Sequence, residues 1–233
     1  MAVTAVTSGN ARLRVLSARV LSIQEEERRH ISRELHDDVG QSVGALKFCL
    51  YRLAPMTKGP AAALVVECIA MADATLERIR QLSRDMHPPE LDALGLEEAL
   101  RALVEGLRTA TGLDVKCHFN GLLTRRFAPS VESAAYRIAQ EALGNATRHA
   151  KASSILLVVE GSPRGLSVTV RDDGQGFDER DAKRRALKSA SLGLISMGER
   201  AILAGGKLTV RGNPGHGAII RADFRVRPRA PAP

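Results

Sequence analysis

Tryptophan is absent from this chain, and aromatic residues make up only 3% of its 233 positions. That scarcity argues against the stacking platforms that bind single-stranded nucleic acid. It leaves Leu, Ala, Val and Ile to fill the interior, a composition suited to helix bundles. Cysteine is sparse as well: Cys49, Cys68 and Cys117, an odd number with no CxxC or Cys/His metal spacing. They read as free thiols in a reducing compartment; the alternative is a redox pair of Cys49 and Cys68 on paired helices. No basic start followed by an apolar core marks a signal peptide, and no apolar run has the length of a membrane span. A soluble, cytoplasmic chain without a membrane span is expected. No GxxxxGK[ST] occurs and no GxGxxG follows a strand, which excludes a P-loop and argues against a dinucleotide-binding fold.

What the sequence does have is positive charge. A net charge of +8 and a pI near 9.9 favour an anionic ligand or partner, such as a nucleotide or an acidic protein surface. Direct nucleic-acid binding is not expected, because no recognised motif accompanies the charge.

Residues 1–10 are small and polar and read as a flexible start. From 11 to 53 apolar residues recur at helical spacing, among them Leu16, Val20, Ile23, Ile31, Leu35, Val43, Leu46 and Leu50. The breaker-rich segment Ala54–Pro60 predicts a turn. A second helix is predicted over 61–86, with Leu64, Cys68, Met71, Thr75, Ile79, Leu82 and Met86 on one face, ended by Pro88 and Pro89. Residues 11–89 thus form a helical hairpin with apolar stripes to bury, and a homodimeric four-helix bundle is the expected solution. The rival is docking of the hairpin onto its own chain. A linker over 90–95 leads to a second domain over 96–226, followed by a basic tail over 227–233. The second domain predicts helices over 96–109, 129–149 and 192–204. Strands are predicted over 113–119, 154–160, 167–171, 207–211 and 218–224, and the mixture defines an α+β fold.

Two regions carry chemistry. In E-L-H-D-D-V-G-Q, His36 stands beside Asp37, a nucleophile with a proton acceptor close by. In ideal helical geometry Asp37 and Gln41 share a face, with His36 about 100° around from Asp37. In the second domain Glu141, Asn145 and His149 fall on one helical stripe. The Asn145 carbonyl and the Glu141 carboxylate suit a hard cation such as Mg²⁺, which keeps several waters and needs few protein ligands. R-D-D-G-Q-G-F follows a strand; Gly174 and Gly176 permit close backbone approach, and Asp172 is placed to accept from an exocyclic amine. Gly193 stands at a helix start, where free N–H groups bind phosphate. The polar, basic segment 178–190 reads as a lid, and P-G-H-G-A, with Gly217, as a turn between strands. Each piece has a plain reading as a polar helix face or a Gly-rich β-turn. Their order and spacing together favour a nucleotide pocket.

These motifs resemble those of the bacterial two-component sensor histidine kinases, in the subfamily marked by an HDxxxQ box. The likeness runs from about Ala18 to Phe224. Its carriers are H-D-D-V-G-Q, the stretch R-Q-L-S-R-D-M-H-P-P-E-L-D-A-L-G-L-E-E-A-L, the box Q-E-A-L-G-N-A-T-R-H-A, and the glycine boxes D-D-G-Q-G-F and L-G-L-I-S-M-G-E-R. The resemblance implies a Bergerat-type ATP-binding sandwich after the hairpin. It implies ATP-dependent phosphorylation of His36, with Asp37 as proton acceptor and Gln41 positioning water for dephosphorylation. It also implies Mg²⁺ at Asn145 and Glu141, Arg148 and His149 near phosphate, Asp172 at the adenine amine, and Gly174, Gly176, Gly193 and Gly217 in the nucleotide loops. The implied partner is a response regulator, typically with a helix-turn-helix output domain. The pattern departs at Ser191, Gly198 and Ala218, where glycine, a basic residue and threonine are usual. Those departures keep open a catalytically weak dimeric scaffold or phosphatase that docks a regulator. An ATPase of the same sandwich class with another role is the third reading, opposed by the histidine hairpin.

Overall fold

The computed structural model describes residues 19–20, 23–122, 126–177 and 192–225. They divide into two compact units, one over Arg19–Asp92 and one from Ala93 onward. Among the described residues no helix is long and apolar enough to cross a membrane, and all three cysteines are free thiols.

The first unit is a helical hairpin. Helix α1 covers residues 23–34, passes through a π-helical turn at Leu35–Val39, and continues as α2, Gly40–Leu53. A 3₁₀ turn at Ala54–Met56 leads to α3, Pro60–Met86, which starts with Pro at its first position behind Gly59 at φ 61°. His87 leaves the helix in an extended conformation, φ −159° and ψ 118°, as a residue before proline must. Around the start of the predicted linker, Pro89–Ala93 form a short helix, α4. Pro89 at the first position and Glu90 and Asp92 in the first turn are helix-start chemistry, and they open a new helix where Pro88 and Pro89 read as breakers.

Within this one chain α3 buries a narrower set than its predicted apolar face. The buried apolar positions are Val65, Ala72 and Ile79, one every seven residues, which is the spacing of a seam against a neighbouring helix. Of the predicted stripe, Ile79 is buried, whereas Leu64, Met71 and Leu82 are 60, 64 and 45% exposed. Helix α2 buries no residue fully, and its Leu46, Phe48 and Tyr51 face solvent. The hairpin therefore carries more apolar surface than its own two helices cover. Lys47 of α2 pairs with Asp73 of α3 across the hairpin.

The second unit is a two-layer α+β sandwich. Helix α5, Leu96–Thr111, ends at Gly112 in the left-handed conformation, φ 70°. Strand β1, Asp114–Asn120, runs parallel to β2, Ser154–Ser162, and α6, Pro129–His149, supplies the crossover that a parallel pair requires. A tight turn at Pro163–Arg164 joins β2 to β3, Gly165–Asp172. Helix α7, Leu192–Leu203, precedes β4, Gly206–Gly212, and β5, Ala218–Arg225. The sheet order is β1-β2-β3-β5-β4, with every pair after the first antiparallel. Alternate residues of the central strands enter the core: Ile155, Leu157 and Val159, then Leu166, Val168 and Val170, then Ile220, Ala222 and Phe224. Against them α6 buries Ala135, Ile138, Ala139, Ala142 and Leu143. Small residues on this helix let it lie close to the sheet, which holds its polar face at one fixed height above the strand ends.

Candidate functional site: a histidine turn and a glycine-lined cradle

In the hairpin, His36, Asp37 and Asp38 lie in the π-helical turn, closed by the Gly40 N–H donating to the Leu35 carbonyl. A π turn takes up an extra residue and shifts the phase of the positions that follow it relative to an ideal α-helix. Asp37 and Gln41 are exposed. Gln41 lines a cavity of about 210 Å³ together with Gly40, Leu76, Ile79 and Arg80. One turn before His36, the buried Ser32 hydroxyl contacts the Ser83 carbonyl at 3.0 Å and the His87 carbonyl at 2.8 Å. The histidine-bearing helix is thereby fastened to the far end of α3.

In the second unit the cradle is built on the outer face of α6. Asn145 Nδ2 donates to Glu141 Oε1 at 3.2 Å. A carboxylate only accepts, so the amide's NH₂ faces Glu141 and its oxygen is left for another partner. Helix α7 closes on this pair: a Cβ at Gly193 would lie 2.1 Å from Glu141 Oε1. Gly193 is the second described residue of α7. Arg148 and His149 occupy the exposed last turn of α6, with Arg148 Nε folded back onto the Gly144 carbonyl at 3.1 Å.

At the end of β3, Asp172 is 7% exposed. Its Oδ1 accepts the Gly174 N–H at 3.0 Å and the Ala218 N–H at 3.3 Å, while no described residue hydrogen-bonds Oδ2. The loop after it is tied down on both sides. Gln175 donates through its backbone to the Ala150 carbonyl and through Nε2 to the His149 carbonyl, each at 2.8 Å. The Gln175 carbonyl accepts from Gly215 at 2.7 Å. A Cβ at Gly174 would meet Ala150 O at 2.3 Å, and one at Gly217, φ 79°, would meet Asp172 O at 2.0 Å. The first glycine loop, the end of α6 and the β4–β5 turn thus converge on one corner through contacts that only glycine allows.

Sequence reasoning missed two residues of this corner. Asp173 accepts from the Ser154 and Ser153 backbone N–H groups at 2.9 and 2.8 Å and from Ser153 Oγ at 2.7 Å. These bonds, the Ser154 one foremost, hold its carboxyl below the usual range. Gln175 caps α6. In D-D-G-Q the two acids look alike, and only their alternation along β3 separates the inward Asp172 from the outward Asp173.

The structure gathers Asp172, Gly174, Gly176 and Gly217 into one corner and sets Glu141, Asn145 and Gly193 together on α6 and α7. His36, Asp37 and Gln41 belong to the other unit. The predicted lid over 178–190 and Ser191 lie outside the described residues. Among the described residues no three His, Cys, Asp or Glu side chains form a metal cluster. The Glu141–Asn145 donor set, one carboxylate and one amide oxygen, fits an ion such as Mg²⁺ that keeps most of its water and takes its remaining ligands from phosphate.

Two family models match the chain in order. Residues 27–91 match one described as "Histidine kinase", and residues 130–228 match "Histidine kinase-, DNA gyrase B-, and HSP90-like ATPase". The chain is 34% identical over 194 residues to the sensor histidine kinase MctS of Rhizobium johnstonii, covering 82% of this chain and 41% of the relative. It is 34% identical over 205 residues to the signal transduction histidine-protein kinase/phosphatase DegS of Brevibacillus brevis, covering 86% and 52%. It is 30% identical over 217 residues to the oxygen sensor histidine kinase NreB of Staphylococcus carnosus, covering 91% and 60%. The chain therefore spans about half the length of these relatives. Among solved structures, the histidine kinase domain of the Erythrobacter litoralis EL346 blue-light activated kinase aligns with TM-score 0.48 and 20% identity, covering 79% of this chain and 94% of that one. With the histidine hairpin and the ATPase sandwich both matched, in that order along one chain, this protein belongs to the sensor histidine kinases of the HDxxxQ type.

Proposed function

We propose that this chain phosphorylates itself on His36 with ATP and passes the phosphoryl group to an aspartate of a response regulator. The observation that carries the reading is the pairing, in one chain, of a His-Asp box on an interrupted helix with an acid–amide pair held beneath a helix-start glycine. In this account Asp172 accepts from the adenine amine. The backbone at Gly174, Gly176 and Gly217 lies against the nucleotide, and Arg148, His149 and the first turn of α7 meet the phosphates. Glu141 and Asn145 hold Mg²⁺, which when bound neutralises charge on the phosphate oxygens. A ring nitrogen of His36 attacks the γ-phosphorus, the bond to the bridging oxygen breaks, ADP leaves, and the imidazole proton goes to Asp37.

The same reading assigns Gln41 to hold a water against the phosphorylated aspartate of the regulator, giving phosphatase activity. It assigns the uncovered stripes of the hairpin, Leu46, Phe48, Leu64 and Met71, to a second copy of the chain in a four-helix bundle. The regulator is proposed to carry a helix-turn-helix output domain, as is typical of the subfamily resembled. The test is incubation with γ-labelled ATP and Mg²⁺. An acid-labile, base-stable phosphoprotein is expected, and His36→Gln abolishes it. Label retained in that variant refutes the assignment.

A further inference from the structure

The buried side chains of α3 are Val65, Ala72, Ile79 and Ser83. The first three are apolar and the last is not. Ser83 is 1% exposed, and Ser32, which meets it from α1, is 3% exposed. The two serines bond across the hairpin in both directions. Ser32 Oγ lies 3.0 Å from the Ser83 carbonyl and 2.8 Å from the His87 carbonyl, and Ser83 Oγ donates to the Ser32 carbonyl at 3.3 Å. A hydroxyl carries one proton, so Ser32 shares it between two carbonyls, with the shorter contact to His87. The Ser83 carbonyl also receives the His87 N–H at 2.8 Å, which closes the end of α3.

A buried hydroxyl costs stability unless it is bonded. An apolar seam tolerates a slide of one helix along the other, because one aliphatic contact replaces another. A bonded polar layer is satisfied in one register alone. Ser32 and Ser83 make such a layer, and Ser32 stands one turn before His36. Directly after it, the π turn at Leu35–Val39 takes up an extra residue and breaks the α-helical phase. The place of that turn against α3 is therefore set by the ties on either side of it. Two of these are ion pairs, Arg29 with Asp92 at 3.5 Å before the turn and Lys47 with Asp73 after it. The Asp92 and Asp73 side chains are 49 and 51% exposed, and ion pairs open to water hold little. The serine layer is buried.

We propose that Ser32 is a positioning residue for phosphorylation of His36, its bonds to the Ser83 and His87 carbonyls fixing the register of the phosphoacceptor turn against α3. The role rests on the kinase reading above. Ser32 acts through the turn and belongs to the hairpin, whereas the nucleotide cradle is built on the other unit. Its loss therefore lowers the rate at which the imidazole reaches a productive geometry and leaves ATP affinity alone.

The test compares Ser32→Ala and Ser32→Thr in the whole chain, with rates referred to the folded fraction measured by circular dichroism. Ser32→Ala is expected to lower the limiting autophosphorylation rate about tenfold, with the half-saturating ATP concentration changed less than about twofold. Ser32→Thr keeps the hydroxyl and is expected to recover the rate to within about threefold of wild type. Hydrogen exchange is expected to show the amides of 33–41 opening about tenfold faster in Ser32→Ala and close to the wild-type rate in Ser32→Thr. Where Ser32→Ala does not fold, Ser32→Cys, similar in size but a weak donor, takes its place under the same criteria. An unchanged limiting rate, unchanged exchange, an equal loss in Ser32→Thr, or a loss carried wholly by weaker ATP binding overturns the proposal. No labelling of wild type removes the kinase reading and this role with it. Labelling of wild type with an equal limiting rate in Ser32→Ala removes this role alone.

Discussion

Asn145 donates to Glu141 at 3.2 Å, and that one bond orients both of the side chains assigned to the metal. Asn145→Asp replaces the donor by a second carboxylate, so the two groups repel and the fixed amide orientation is lost. Affinity for a Mg²⁺-nucleotide is expected to fall by about tenfold or more. Fluorescent-nucleotide titration measures it, and equal affinity in wild type and variant contradicts the assignment.

Gly193 admits no side chain without moving Glu141, because a Cβ there falls 2.1 Å from Oε1. Gly193→Ala is expected to weaken nucleotide binding while costing about 1–3 kcal/mol of stability, the range for an overpacked site. At Gly217 the left-handed backbone and the Asp172 carbonyl both resist a Cβ, so Gly217→Ala is expected to unfold the second unit at lower temperature as well. Calorimetry alongside nucleotide titration separates the two effects.

The hairpin makes opposite predictions for two positions of α3. Ile79 is buried within the chain, and Ile79→Ala is expected to cost about 2–5 kcal/mol. Met71 is 64% exposed, and Met71→Lys is expected to leave the folded chain intact but to weaken the dimer, read by sedimentation at micromolar concentration. A wild-type chain that sediments only as a monomer removes the four-helix bundle.

Asp173 is held below the usual carboxylate range by its bonds to Ser154 and Ser153. A lowered folded-state value means that its contribution is complete at neutral pH and is lost as pH falls through that value. Asp173→Asn is expected to reduce stability at neutral pH and to narrow the gap to wild type as pH drops below about 4. A gap independent of pH contradicts the role.

Gln41→Ala is expected to leave labelling of the chain unchanged and to slow loss of phosphate from the regulator, because the residue acts on water and not on ATP. Equal rates of loss contradict it.

Elements with local signals were readable from the sequence. Helix α6 begins at Pro129 and ends at His149 as expected, since Pro at the first position, Glu132 in the first turn and basic residues in the last are all local. The central strands followed from apolar alternation, with ends displaced by one or two residues. What escaped depends on distant partners. The contact of the His87 carbonyl with Ser32 was not legible, because it joins residues 55 apart. The π turn arises from backbone register rather than residue type. Which apolar residues of α3 pack within the chain was not legible, because Leu64 and Val65 are equally apolar and only packing against α2 chooses between them. Of the site, Glu141, Asn145 and the glycines were visible as spacing; that Gln175 pins the α6 terminus was not, because a glutamine between two glycines carries no local preference.

The most direct measurement is the position of the phosphoryl group. After reaction with ATP and Mg²⁺, proteolysis and phosphopeptide mapping under alkaline conditions are expected to place it on His36. A phosphoryl group on any other residue, or none on a chain that binds nucleotide, contradicts the account.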